Sequence, residues 1–111
     1  MRLRLPSLGL LAAAALRLAA AEDTIKVGMF ASLTGREASF GQTNHRGAAF
    51  AVEELNAAGG VLGRRLKLVA EDTRSLQGEA ATSVKKLLAR DKVTAVLCET
   101  GSSAALEAAP L

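Results

Sequence analysis

The stretch Val52-Glu53-Glu54-Leu55-Asn56-Ala57-Ala58-Gly59-Gly60-Val61-Leu62-Gly63-Arg64-Arg65-Leu66-Lys67-Leu68-Val69-Ala70-Glu71 changes from a helical to a strand-like pattern at a pair of glycines. On its upstream side Ala48, Ala51, Val52 and Leu55 recur at helical steps, and Arg46, Glu53, Glu54 and Asn56 fall between them. That spacing predicts an amphipathic helix over 42–58. Gly59-Gly60 supplies the left-handed backbone on which helices end. Val61 to Arg64 reads as a turn, and Leu66 to Glu71 as a strand closed by Asp72.

Further out the alternation continues. Ile25 to Ala31 is a β-rich run, and Thr34 to Gly41 is loop-like. After Asp72 a second helix is expected from about Gln77 to Arg90, with Ala80, Ala81, Val84, Leu87 and Leu88 on one face. Lys85, Lys86 and Arg90 lie toward its C-terminal end, where cations complement the helix dipole. Val93 to Cys98 reads as a third strand, and Ser102 or Ser103 as the cap of a third helix. This βαβαβ order predicts an α/β fold, a parallel sheet covered by helices on both faces. Right-handed crossovers then favour the strand order 2-1-3. The loops after strands 1 and 3, Thr34 to Gly41 and Glu99 to Ser103, should flank one crevice at the carboxyl ends of the strands. Folds of this kind bind ligands there.

Residues 1–21 read as a signal peptide. Arg2 and Arg4 precede the apolar run Leu8 to Leu16, and Ala19-Ala20-Ala21 offers small residues for cleavage after Ala21. The run is shorter than the roughly 20 apolar residues a membrane span needs. No cysteine follows the cleavage point to carry a lipid. An exported chain meets an oxidising compartment, yet Cys98 stands alone. It is expected to be a small buried hydrophobe at a strand end, with half of a bridge to further sequence as the alternative. Residues 22–111 form the second unit. The run Ala108-Ala109-Pro110-Leu111 follows the third helix with no strand after it, so a truncated fold is expected.

Charge and composition exclude several function classes. Of 14 basic residues Arg2, Arg4 and Arg17 lie in the leader, and the remaining 11 match the 11 acidic ones. The body is therefore neutral. With three Phe and neither Tyr nor Trp it has few rings on which bases could stack, so no nucleic-acid partner is expected. Between Gly35 and Gly41 five residues intervene, and Gln42 stands where a phosphate-binding loop needs Lys. No Gly-x-Gly-x-x-Gly follows the first strand, so neither a nucleotide nor another cofactor is indicated. Of two adjacent carboxylate pairs, Glu53-Glu54 reads as a solvated helix face. Asp72, beside Glu71 at the end of strand 2, reads as a cap or loop-bonding residue, with a carboxylate turned toward the crevice as in a glycosidase-type pair as the alternative. His45 has no second His or Cys near it and reads as a surface residue, so no metal site is expected. No nucleophile–base–orienter trio is visible, and the chain is read as a binder rather than an enzyme. Ser102 and Ser103, between strand 3 and a helix, offer hydroxyls and free N–H groups to a ligand. Phe40, in the loop from the neighbouring strand, is expected either to stack over an apolar ligand group or to pack against the lobe.

These same residues carry a resemblance. Ile25-Lys26-Val27-Gly28 through Ser32-Leu33-Thr34-Gly35 with Gly41, and Gly47-Ala48 to Asn56-Ala57-Ala58-Gly59-Gly60-Val61-Leu62-Gly63-Arg64 with Asp72, are similar to the type 1 periplasmic binding proteins of the Leu/Ile/Val-binding class. Lys85 to Leu88, Val93 to Val96, Ser102-Ser103 and Ala108-Ala109-Pro110 continue the likeness over residues 24 to 111. Gly35-Arg36 stands where that family more usually has Gly-Pro, and Cys98 where it has Gly. The resemblance implies the first part of lobe 1 of a two-lobed receptor whose lobes close over a ligand. It implies an exported ABC-importer component that delivers a branched-chain-type amino acid or an amide to a permease. A sensory receptor module with the same lobes is the alternative. It implies further that Ser102 and Ser103 hold the ligand's carboxylate or equivalent polar end, with Phe40 as the aromatic wall beside it. The second lobe would lie beyond Leu111.

Overall fold

The computed structural model describes residues 23–111, so the signal-peptide reading of residues 1–21 lies outside the described residues. The elements are β1 (Ile25–Ala31), α1 (Ala38–Ala57), β2 (Leu66–Asp72), α2 (Glu79–Ala89), β3 (Ala95–Cys98) and α3 (Ser102–Ala108). All three strands are parallel, in the expected order β2-β1-β3. Val27 is flanked by Leu68 on one side and Ala95 on the other.

Alternation along the strands divides the side chains between two faces. On one face Phe30 packs with Ala80 and Val84 of α2, and Val96, Ala104 and Ala108 close over them. Leu87 is 0% exposed there, seated over Gly28. Burial of a side chain such as Phe30 or Leu87 stabilises the fold by about 1.5–3 kcal/mol. The crossovers β1 to β2 and β2 to β3 run in opposite directions across the sheet, so their common hand puts α1 on the other face, against β1 and β2.

The inner face of α1 is rotated from its sequence expectation. Ala51 and Leu55 are exposed, whereas Ala48, Val52 and Asn56 are half-buried. Asn56 decides this. Its Nδ2 donates to the Leu66 carbonyl at 2.9 Å, and its Oδ1 accepts the Leu66 N–H at 2.7 Å. The side chain thereby stands in for a neighbouring strand and ties the end of α1 to the start of β2. The glycine pair then closes the helix: Gly60 N–H donates to the Leu55 carbonyl at 2.8 Å and Gly59 N–H to that of Asn56 at 3.2 Å. Gly59 adopts φ 106°, as this paired ending requires.

Three boundaries differ from the sequence reading. Helix α1 begins at Ala38, so the second half of the expected loop is its first turn: the Glu37 carbonyl accepts from Phe40 and Gly41. No side chain caps that end, which hid it. Strand β3 begins only at Ala95, because the Val93 N–H is bonded back to Leu87 of α2 at 3.1 Å. Neither Ser102 nor Ser103 caps α3. Gly101 does so with extended backbone, its carbonyl accepting from Ala105 at 3.1 Å, and the two serines are the first helical residues.

Cys98 also departs from expectation, being free and exposed. It lies on β3, an edge strand among the described residues, and borders an apolar hollow of about 420 Å³ with Val96, Leu88 and Leu111.

Candidate functional site

A larger hollow of about 880 Å³ opens at the carboxyl ends of the strands. Its floor is made by Ser32, Thr73 and Glu99, each the first residue past a strand. Phe40, Gly41 and Asn44 of α1 form one wall, and Ser103, Ala104, Leu106 and Glu107 of α3 another. Leu76 and Ala80 contribute from the loop after β2 and from α2.

The sheet order brings two of the expected ligand residues together. Phe40, 65% exposed, and Ser103 both line this hollow. Ser102 is exposed and is not among the lining residues.

The floor is tied together by short polar contacts. Ser32 and Thr73, each 2% exposed, share a hydroxyl–hydroxyl hydrogen bond of 3.0 Å. The Ser32 N–H donates to Glu99 Oε2 at 2.5 Å, linking the ends of β1 and β3. Asp72 does the same between β1 and β2. Its Oδ1 accepts from the N–H groups of Leu33, Thr34 and Arg74 at 2.9, 3.1 and 2.8 Å, and its Oδ2 from the Thr34 hydroxyl at 2.6 Å. Burial pushes the Asp72 carboxyl up, but the hydrogen bonds from Thr34, Arg74 and Leu33 outweigh it and hold the group below its ordinary value. Asp72 is the loop-bonding residue the sequence suggested.

Ser75 completes the frame by donating to the Thr34 carbonyl at 2.9 Å and accepting from Glu37 N–H at 3.0 Å. Arg74 and Ser75 both take left-handed backbone, φ 55° and 58°. That conformation costs roughly 1–2 kcal/mol per non-glycine residue, which these bonds offset.

Glu71 belongs to a different place. It projects from the opposite face of β2 and pairs with Lys86. The hydrogen bond to Glu71, with a weaker one to Asp91, raises the Lys86 ammonium above its ordinary value despite some loss of solvent. Glu71 and Asp72 are therefore not a working carboxylate pair. His45 lies within α1, half-buried, past its first turn.

Besides Ser32 and Thr73 of the floor, two carboxylates of the site were not singled out by sequence reading. Glu107 of α3 reaches across to α2, accepting the N–H of Gly78 at 3.1 Å and of Ala81 at 2.9 Å. It supplies the anion that the first turn of α2 lacks from its own cap, Gly78. Glu99 on the floor is the other. Neither has a local sequence signal, since each partner is remote in the chain. The Ser32 and Thr73 hydroxyls bond each other and the Ser75 hydroxyl bonds backbone groups. With Ser103 and Phe40 on its walls, the hollow sets polar groups for holding a ligand beside an aromatic ring.

A family profile described as periplasmic binding protein matches residues 24–111. An amino acid binding protein of Pseudomonas aeruginosa is 37% identical over 84 residues, covering 76% of this chain and 22% of that protein. Among solved structures, the branched-chain amino acid transporter substrate binding protein LivJ of Streptococcus pneumoniae, in complex with isoleucine, superposes with a TM-score of 0.74 at 38% identity. The alignment covers 77% of this chain and 24% of that one. The leucine binding protein LivK of Thermotoga maritima gives 0.71 at 34% identity, covering 78% of this chain and 24% of its own. The chain thus spans about a fifth to a quarter of the length of these relatives.

Proposed function

The chain belongs to the periplasmic binding protein family, and from that premise we propose that it forms the first part of the ligand-binding lobe of an ABC importer's solute receptor. The ligand is a small amino acid of branched-chain type or a related amide. Ser103, which lines the hollow, takes its carboxylate or equivalent polar end, with the neighbouring Ser102 assisting from outside that lining, and Phe40 stands beside its apolar part. In this reading residues 1–21 are a cleaved leader, residues 22–111 work outside the cytoplasm, and the partner that receives the ligand is a membrane permease. The protein binds its ligand without chemical change and needs neither a metal nor another cofactor.

One observation carries the proposal: Phe40 and Ser103, more than 60 residues apart in the chain, line the same hollow at the carboxyl ends of parallel strands. The names of the relatives above speak of amino acid binding and transport, which favours the importer over a sensory module.

Calorimetric titration with leucine and isoleucine tests it. Replacing both Ser102 and Ser103 by Ala is expected to weaken binding by roughly 1–3 kcal/mol, the cost of lost hydrogen bonds to a charged group. Unchanged affinity in the double variant would remove the serines from the site.

A further inference from the structure

We infer that Glu99 is a specificity-determining residue of the hollow: its carboxylate selects a ligand that brings a positive charge or hydrogen-bond donors, and turns away one whose only polar end is an anion. The inference rests on the amino-acid-binding reading and deepens it.

Glu99 is half-buried on the floor, directly after β3. Its Oε2 is engaged by the Ser32 N–H. Its Oε1 accepts no hydrogen bond among the described residues. That oxygen faces the turn leading to Ser103: a side chain at Gly101 would begin 3.5 Å from it, so glycine leaves this side of the carboxylate open.

The other charged side chains lining the hollow have partners of their own. Arg36 has a side chain 89% exposed and pairs with Glu37 at 3.1 Å. Glu107 spends both oxygens on the N–H groups of Gly78 and Ala81. Among the described residues no lysine lines the hollow and no cation pairs with Glu99.

An anion brought beside Glu99 would meet like charge where water screens it incompletely. An ammonium or amide N–H₂ would instead complete the acceptor with a charge-assisted bond. In an α-amino acid the ammonium and carboxylate share one carbon. That suits an acceptor at Glu99 and a hydroxyl at Ser103, at the two ends of one short turn.

The test titrates the full chain and Glu99→Gln by calorimetry with three probes of one shape. These are isoleucine, isoleucine amide, and 2-hydroxy-3-methylpentanoate, which keeps the carboxylate and carbon skeleton but has no ammonium. The unmodified chain is expected to prefer isoleucine over the hydroxy acid by at least about tenfold. Glu99→Gln keeps an oxygen for the Ser32 N–H and is expected to cut that preference severalfold, with the amide losing most. An equal preference in both proteins overturns the role of Glu99 and leaves the amino-acid reading standing. Should the variant not fold, the unmodified chain decides alone: hydroxy acid bound as tightly as isoleucine overturns the inference. Binding of none of the three probes to the unmodified chain overturns the amino-acid reading, and this inference with it.

Discussion

Gly41 of α1 lies against the carbonyl group of Ser32, so close that the first carbon of any side chain at position 41 would overlap it. Gly41 is the one buried residue of α1, and this approach seats the helix start on the end of β1. Phe40, the preceding residue, is thereby held at the rim of the hollow.

Gly41→Ala forces helix and strand end apart. Overpacking of this kind costs about 1–3 kcal/mol. A urea titration of both proteins is expected to show that loss, and a difference within about 0.5 kcal/mol, usual for an open surface position, would mean that the contact yields freely.

Asp72→Ala leaves the N–H groups of Leu33, Thr34 and Arg74 without their acceptor, at a cost of about 1–3 kcal/mol near neutral pH. The folded carboxyl titrates below its ordinary value of 3.8. Its contribution is therefore complete above that value and is lost as the pH falls through the lower, folded one. Melting both proteins from neutral pH down through the carboxyl range should show the gap between them closing in acid. A gap independent of pH would assign the effect to packing instead of charge.

Glu107→Ala removes the acceptor that α3 lends to α2. The expected loss is about 0.5–2 kcal/mol, the range for a missing helix cap. Amide hydrogen exchange localises it: Gly78 and Ala81 should exchange faster, with the last turn of α2 little changed. Unaltered exchange at Ala81 would show that water replaces the carboxylate without cost.

Leu97→Lys addresses the β3 edge. Leu97 is 43% exposed on a strand that has no neighbour on its outer side among the described residues, and apolar strand edges invite association. A lysine there is expected to lower concentration-dependent association of the chain in light scattering. Equal scattering from both proteins would exonerate the edge.

Much of the frame was legible before any coordinates. The shift of period at Gly59-Gly60, the β-rich run Ile25 to Ala31 and the spacing of Val84 and Leu87 gave the element order, and the common hand of crossovers gave the strand order. Local signals failed where the decisive partner was remote. Asn56 reads as a polar, solvent-side residue until Leu66 lies opposite it. The serines that open α3 read as caps, yet the backbone of Gly101 takes that place. Cys98 reads as a core residue because its type favours burial, but nothing described covers the outer side of its strand.

The sequence by itself determined the alternation of strands and helices and the glycine ending of α1, because each depends on residues close together along the chain. Only the tertiary structure decided how the hollow is held and lined. The carboxylates of Asp72, Glu99 and Glu107 each bond N–H groups on another element, 26 to 67 residues away for the longer links. Such pairings depend on the packed positions of whole elements, and no local periodicity records them.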